Sequence, residues 1–177
     1  MNRWRCVVAA GLLAPVVVAV SCARAPQQDT PAIRETIAAI NDESMACYGS
    51  AEADCVASYF SEEGLLALSN TPSLAGPEAI RRYWQQAFGW GQWELTLTSQ
   101  LIEPSEPLAV ERGRYTMKFT AGPGAPPSKA TSEDRGTYLI HWRHDPDGKW
   151  RKAAQAFVSE VPARVVAAPV QPGESAR

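Results

Sequence analysis

The sequence contains few residues of the kinds that build metal, redox or nucleic-acid sites. It has four cysteines and two histidines in 177 residues, and its formal net charge is −2. His141 and His144 lie three apart at a strand end, where alternation places them on opposite faces, so we expect no metal site. Serine–histidine–aspartate signatures, phosphate loops and dinucleotide fingerprints are missing from the sequence. Composition therefore predicts a globular protein that uses no metal or other cofactor and binds no nucleic acid.

Long apolar runs are also missing, apart from one short run near the start of the chain. It spans Val7–Val20, follows Arg3 and Arg5, and ends in small residues before Cys22. The run is shorter than the roughly 18–20 apolar residues that cross a bilayer. Basic residues followed by a short apolar run are typical of a secretory signal. We therefore predict a signal peptide over residues 1–21.

The end of this leader resembles the cleavage site of bacterial lipoproteins. In Ala19–Cys22 (AVSC) the cysteine directly follows the apolar run, although Ala19 stands where that family usually has a large aliphatic residue. The resemblance implies that Cys22 carries lipid and anchors the protein in the bacterial cell envelope, facing the periplasm or the exterior. The alternative is an ordinary secreted protein that is cut near Ala23 or Ala25.

The rest of the chain divides into a tether, one domain and a tail. The tether is the short polar segment 22–29, and the domain is residues 30–162, which have regular hydrophobic patterns. The tail is residues 163–177, which are rich in small residues, proline and valine. The composition of the tail predicts disorder. Cys47 and Cys55 remain in the domain. In an exported protein this close pair predicts a disulfide, with two buried thiols as the alternative.

The hydrophobic period changes part-way along the domain. Three segments with helical spacing come first, at residues 31–47, about 52–60 and 77–88. A short apolar strand at residues 65–68 lies between the second and the third. From Trp93 the period is two, which predicts strands at residues 93–101, 108–120, 135–144 and 149–159. Helices followed by a meander of strands favour an α+β fold, with three N-terminal helices packed on one face of an antiparallel sheet.

Four local patterns in this domain resemble those of one superfamily. They are Leu74–Arg81, Ala109–Tyr115, Gly136–Trp142 with Asp147–Trp150, and Ala156–Glu160 followed by Pro162. These patterns are similar to the nuclear transport factor two-like superfamily, and most of all to its SnoaL-like and ketosteroid-isomerase-like bacterial members. The resemblance covers about residues 30–162. It implies a cystatin-like cone, in which a strongly bent sheet and its helices enclose a hydrophobic cavity.

The last hairpin predicts which side chains face into the cone. If His144 pairs with Lys149, the more apolar face should look inward, and it carries Tyr138, Ile140, Trp142, Ala153, Gln155 and Phe157. The opposite face then carries Leu139, His141, Arg143, Trp150 and Lys152. An apolar wall with a few polar groups suits a small apolar or aromatic ligand. The predicted ligand-binding residues are Trp84, Tyr115, Tyr138, Trp142, Gln155 and Phe157.

The same residues have a simpler explanation, in which they fill the cone as core. Gln155 stands where related sequences often carry an aspartate, so a neutral amide replaces a base. In ketosteroid-isomerase-like enzymes the catalytic carboxylate would fall near Ala67 or Leu68, and residues 65–70 contain no acid. This departure from the family argues against the isomerase reaction.

Glu111 is the best remaining candidate for a catalytic carboxylate. It shares strand parity with Tyr115 and Met117, so an inward side chain could act as acid or base together with Tyr138. The alternative is a strand-end glutamate in solvent. A bulge in the preceding hairpin would also reverse the assignment.

Three hypotheses follow from these patterns. The domain binds a small apolar or aromatic molecule in its cone without catalysis; or it is an isomerase or lyase for a hydrophobic substrate, with Tyr138 and Glu111 as acid and base. The third hypothesis is an envelope interaction module without ligand. Because members of the superfamily often pair through the outer face of the sheet, the resemblance also implies a homodimer.

Overall fold

The computed structural model describes residues 30–162, which form three helices and six strands. The predicted signal peptide, the predicted lipid site at Cys22 and the predicted tail lie outside these residues. Among the described residues, no helix is both long enough and apolar enough to cross a membrane.

The helices come early in the chain, as the period change predicted. They are α1 (Thr30–Gly49), α2 (Ala53–Ser58) and α3 (Gly76–Phe88), with β1 (Phe60–Ala67) and β2 (Leu74–Ala75) between the last two. Four long strands follow, β3 (Gly91–Ser105), β4 (Leu108–Ala121), β5 (Ser132–His144) and β6 (Trp150–Ser159). Strand β2 is not among the predicted strands, because two residues are too few to show a period.

All six strands form one bent, open sheet in the order β2-β1-β6-β5-β4-β3. The β1–β6 pair is parallel, and the other neighbouring pairs are antiparallel. Helices α1 and α3 pack on the inner face, so the core lies between them and the sheet. The α+β class with helices on one face is confirmed, and the parallel pair corrects the expectation of a wholly antiparallel sheet.

The β5–β6 hairpin has a different register from the predicted one. His144 pairs with Trp150 rather than with Lys149. Beyond this point the register shifts again at Ala153, which has no partner in β5. Ala153 therefore forms a bulge, and one extra residue reverses the face to which the side chains on either side of it point.

The bulge gives the two parts of β6 opposite alternation. Beyond it, Gln155 and Phe157 point inward as predicted, with 1% and 6% of their surface exposed. Before it, Trp150 and Lys152 also point inward, with 5% and 1% exposed. Their predicted place on the outer face is wrong, because alternation holds only along an unbroken strand. The fold thus brings an amine into the interior.

Cys47 and Cys55 form a disulfide in the structure, with their Cα atoms 5.7 Å apart. The turn between them is closed by a hydrogen bond from the Glu52 amide to the Cys47 carbonyl oxygen, 3.0 Å long. Cys47 is buried beside Tyr48 in the core. The disulfide therefore ties the short α2 to the end of α1.

Candidate functional site

Glu111 lies in the interior with no exposed surface. The inward orientation is confirmed, and the alternative of a solvated glutamate is wrong. Its Oε1 accepts hydrogen bonds from Asn41 Nδ2 at 2.8 Å and from the Tyr138 hydroxyl at 2.6 Å. Its Oε2 accepts one from Trp142 Nε1 at 2.8 Å. Since a carboxylate without partners is very costly to bury, these three donors are what allow a glutamate at this position.

Gly113 makes room for the Tyr138–Glu111 contact. Gly113 pairs with Tyr138 across the β4–β5 ladder, and the Tyr138 ring lies over it on the way to the carboxylate. A Cβ atom at Gly113 would stand 2.7 Å from both Cε1 and the hydroxyl oxygen of Tyr138, and would also meet the Thr98 carbonyl oxygen. Only glycine allows this close approach.

Lys152 is the second charged residue of the interior. Its Nζ donates a hydrogen bond to Ser44 Oγ at 3.2 Å, and it lies 5.7 Å from the ring centroids of both Phe60 and Trp142. Burial lowers the pKa of this amine to about 8, while the charge of Glu111 acts in the opposite direction. The ammonium is therefore unusually easy to deprotonate for a lysine.

Helix α1 supplies two residues of this site that the sequence analysis missed. Asn41 and Ser44 are 4% and 1% exposed, and they reach Glu111 and Lys152 respectively. A signal for them exists in the sequence, because both fall on the helix face that carries Ile33, Ile37 and Tyr48. Polar residues at core positions need a buried partner, but the sequence alone does not say which one.

The rest of the interior is aromatic. Tyr115 packs edge-on against Phe157 with centroids 4.7 Å apart, and Trp84 packs edge-on against Tyr48 at 4.8 Å. Every residue of the predicted ligand site is buried, Trp84, Tyr138 and Trp142 completely so. These side chains fill the cone as core, which was the alternative explanation. Whether they also contact a ligand depends on the polar groups among them.

Several buried polar atoms find no partner among the described residues. Both ends of the Gln155 amide are in this position, together with Trp84 Nε1 and Asn41 Oδ1. Gln155 belongs to an inner row that runs across the sheet through Cα pairs with Leu66, Ile140 and, beyond Ile140, Glu111. Unpaired buried polar groups are rare and each costs about 1–3 kcal/mol. They mark places where a polar group from outside the protein chain would be stabilised.

A pocket of about 400 Å³ opens at the end of the sheet where β3 and β5 begin. Trp93 and Phe119 line it, with ring centroids 4.6 Å apart, and Asp134 and Ser159 contribute polar groups. Trp93 also contacts Trp84, with centroids at 5.4 Å. The pocket therefore adjoins the aromatic end of the interior.

The Tyr138–Glu111 pair favours hydrogen bonding over proton transfer. Burial, and then the hydrogen bond to Glu111, raise the pKa of Tyr138 well above its ordinary value. The phenol therefore holds its proton, and acts as a donor rather than an acid. Glu111 already accepts three hydrogen bonds, which leaves little of its acceptor capacity for a substrate proton.

The known proteins to which this chain is similar resemble it in structure. No family profile matches this sequence, and no curated protein matches it either. Among solved structures it is similar to a ketosteroid isomerase-like protein from Erwinia carotovora atroseptica, with TM-score 0.61 and 15% identity over 72% of this chain and 96% of that chain. A nuclear transport factor 2-like superfamily protein from Salmonella enterica gives TM-score 0.64 and 14% identity over 79% and 99%.

The domain has a nuclear transport factor two-like fold. A conserved protein from Planctomyces limnophilus has the same architecture, with TM-score 0.64 and 18% identity over 73% of this chain and 97% of that chain. These neighbours share the fold that the resemblance of the four sequence patterns implies. At identities this low, structural similarity establishes the nuclear transport factor two-like fold and nothing about the activity. The activity has to be argued from the site.

Proposed function

We propose that this nuclear transport factor two-like domain binds a small, mostly apolar molecule that carries one polar group. The observation behind the proposal is the Gln155 amide, whose two ends are buried without a partner. A side chain in that state is destabilising unless something pairs with it. A ligand with a hydroxyl, carbonyl or amide group would pair with Gln155, and aromatic rings would surround the rest of the molecule.

The pocket at the start of β3 and β5 supports this proposal by offering a way in. Trp93 lies between that pocket and Trp84, whose Nε1 is also unpaired. The proposal requires Trp93 and Trp84, which are in contact, to rotate so that the pocket joins the interior. We expect ligand entry to change the fluorescence of the tryptophans, since three of them, Trp84, Trp93 and Trp142, line this path or its end.

Native mass spectrometry of the full chain tests the proposal. The protein would be produced with its leader in a bacterial host and released from membranes in mild detergent. An adduct that survives gentle ionisation and disappears on denaturation is the expected result. A bare protein mass, together with no fluorescence response to any member of a panel of apolar alcohols, aldehydes and amides, would contradict it.

Gln155→Leu sharpens the experiment. The variant loses the unpaired amide, so we expect a higher urea midpoint together with a weaker or missing adduct. Gln92→Leu is the matched control, because Gln92 is exposed on β3 and its replacement should leave the adduct unchanged. If Gln155→Leu kept the full adduct, the polar recognition would lie elsewhere.

An isomerase or lyase reaction remains the second candidate, and one contact favours it. Tyr138 and Glu111 meet at 2.6 Å inside an apolar cone, which is the pair of residues that the reaction would need. This reaction is the weaker of the two candidate functions, because three hydrogen-bond donors already occupy the carboxylate of Glu111. Glu111→Gln would abolish turnover of a hydrophobic substrate if this reaction occurs, and would change only stability if it does not.

Export and lipid anchoring through Cys22 belong to the same proposal. The order of charge, apolar run and cysteine in residues 1–22 supports it, and a Cys47–Cys55 disulfide suits an oxidising compartment. Metabolic labelling with radioactive palmitate should mark the wild-type protein and not the Cys22→Ser variant. Wild-type protein without label and free in the periplasm would point to an ordinary secreted protein.

The outer face of the sheet is the proposed site for a second copy of the chain. Val110, Leu139 and Val158 are 44%, 51% and 63% exposed on that face, on three adjacent strands. Light scattering should report a dimer, and Leu139→Asp should convert it to a monomer with an unchanged fold. A wild-type monomer at high concentration would contradict this arrangement.

A further inference from the structure

The interior amine of Lys152 differs from every other amine of the described chain. The sequence contains four lysines, at positions 118, 129, 149 and 152. The first three are exposed, and Lys152 alone is buried. Burying a lysine costs several kcal/mol unless the charge is paired, so its presence in the cone requires a reason that core packing alone does not supply.

The partners of Lys152 satisfy it only in part. An ammonium has three donor hydrogens, and Ser44 Oγ is the one acceptor within hydrogen-bond distance among residues 30–162. The ring faces of Phe60 and Trp142 support the positive charge from two further sides. Glu111 attracts the charge through space rather than by direct contact, because its two oxygens bind Asn41, Tyr138 and Trp142.

We propose that Lys152 is a reactive amine that takes up small apolar aldehydes and ketones inside the cone as imines. The proposal rests on the proposed function, since the carbonyl compound has to enter the cone first. Within that function it names the ligand class. An acidic ligand fits less well, because the carboxylate of Glu111 already attracts the charge of the amine through space.

The chemistry needs no group beyond the protein, the carbonyl compound and water. The ammonium first gives up a proton to water. The neutral amine then adds to the carbonyl carbon, and one proton of the amine passes to the carbonyl oxygen, which gives a neutral carbinolamine. The hydroxyl group takes a proton back from water and leaves as a water molecule, while the nitrogen lone pair forms the C=N bond. The protonated imine carries the same single positive charge as the ammonium, so Glu111 and the two aromatic rings continue to stabilise it.

The lowered pKa of Lys152 supports this role because only the neutral amine attacks a carbonyl. With a pKa of about 8, the neutral fraction at neutral pH is about two hundredfold larger than for an amine at the reference value of about 10.4. The groups that face this amine are Ser44 from α1, Phe60 from β1, Glu111 from β4 and Trp142 from β5. Of these, only Glu111 is charged.

Reductive trapping of the full chain tests the proposal, with benzaldehyde as the probe. Sodium borohydride converts an imine into a stable benzyl-amine, and peptide mapping then locates the benzyl group. We expect Lys152 to be labelled at least about tenfold more than each of the three exposed lysines at neutral pH. Benzyl alcohol, which has the same shape but forms no imine, should compete with the labelling.

Three variants complete the test. Lys152→Met should remove the labelling inside the cone, and its circular dichroism spectrum should establish that the fold is kept. Lys149→Arg, which removes an exposed lysine next to the turn, should leave the labelling of Lys152 unchanged. If Lys152→Met does not fold, Ser44→Ala is used instead. This variant keeps the amine of Lys152 and removes its hydrogen-bond acceptor, and we expect Lys152 to be labelled in it.

The outcomes separate this proposal from the proposed function. If benzyl alcohol and benzaldehyde both change tryptophan fluorescence but the label stays on exposed lysines, the imine proposal is overturned and ligand binding stands. If neither compound changes the fluorescence and Lys152 is not labelled, both are overturned. Labelling of Lys152 that benzyl alcohol suppresses supports both.

Discussion

Two groups of charged residues lie in the same half of the sheet and differ mainly in burial. In the β5–β6 turn, Arg151 bridges Asp145 at 2.9 Å and Asp147 at 2.7 Å. In the interior, Glu111 and Lys152 are held by neutral donors and acceptors. The turn has more charges, and they form direct ion pairs. Water and salt screen the charges of exposed ion pairs, so the loss of one partner costs little. A buried charge that loses its partners has no solvent to screen it, so the loss costs much more. Burial therefore decides which of the two groups controls stability.

Removing the interior carboxylate should have the largest effect. Glu111→Ala leaves the donors of Asn41, Tyr138 and Trp142 unpaired, and it removes the one carboxylate that attracts Lys152. We expect the free energy of unfolding to fall by about 3–5 kcal/mol, measured by urea denaturation. Glu111→Gln keeps the shape and should cost less. A loss below about 1 kcal/mol for Glu111→Ala would show that the carboxylate is not held as the geometry implies.

Filling the space over Gly113 should come next. Gly113→Ala places a methyl group against the Tyr138 ring, so it should reduce the free energy of unfolding by about 1–3 kcal/mol. Gly49→Ala is the matched control, because nothing lies within 4 Å of a Cβ atom there. The control should change stability by no more than about 0.5 kcal/mol. Equal effects at the two positions would contradict the close approach.

The pH dependence of stability should reveal the interior amine. Because the pKa of Lys152 is about 8 in the fold, below the 10.5 of an ordinary lysine side chain, the unfolded chain binds more protons between these pH values. The free energy of unfolding should therefore rise from pH 8 towards pH 10, by at most about 3 kcal/mol.

The Lys152→Met variant isolates this contribution. It should lose the rise between pH 8 and pH 10, and subtraction of the two curves removes the effect of other groups. The subtraction is needed because burial raises the pKa values of Tyr48, Tyr115 and Tyr138. These tyrosines make wild-type stability fall above about pH 10, where the unfolded chain ionises first. Parallel curves for wild type and variant would exclude a buried amine of lowered pKa.

The exposed turn should show the smallest effect. Hydrogen bonds from Arg151 lower the pKa of Asp147 to about 2, yet the carboxylate is open to solvent. We expect Asp147→Asn to leave the urea midpoint within experimental scatter at neutral pH and moderate salt. A shift as large as that of Glu111→Ala would reverse the comparison between turn and interior.

The sequence predicted most of the fold because its patterns are local. Helical spacing over residues 31–47 and alternation from Trp93 onward correspond to α1 and to the long strands. The inward faces of β4 and of the second half of β6 were also predictable, because alternation there is unbroken. The site was predicted in part: Glu111 and Tyr138 were named together, and the structure places them in contact.

The rest of the site escaped prediction for a physical reason. Ala153 shifts the register of β6 by one residue, and an alanine in a strand does not predict a bulge. That shift turned Lys152 from the predicted outer face to the interior. Asn41 is 70 residues from Glu111 in the chain, so no local pattern could pair them.

By itself the sequence determined the order of helices and strands, the α+β class and the candidate carboxylate, because these follow from hydrophobic period and residue type. The tertiary structure alone decided that Asn41 binds that carboxylate and that Ser44 binds the buried amine of Lys152. Secondary structure reflects interactions between near neighbours in the chain, whereas a buried charge can be stabilised only by groups that folding brings from distant segments.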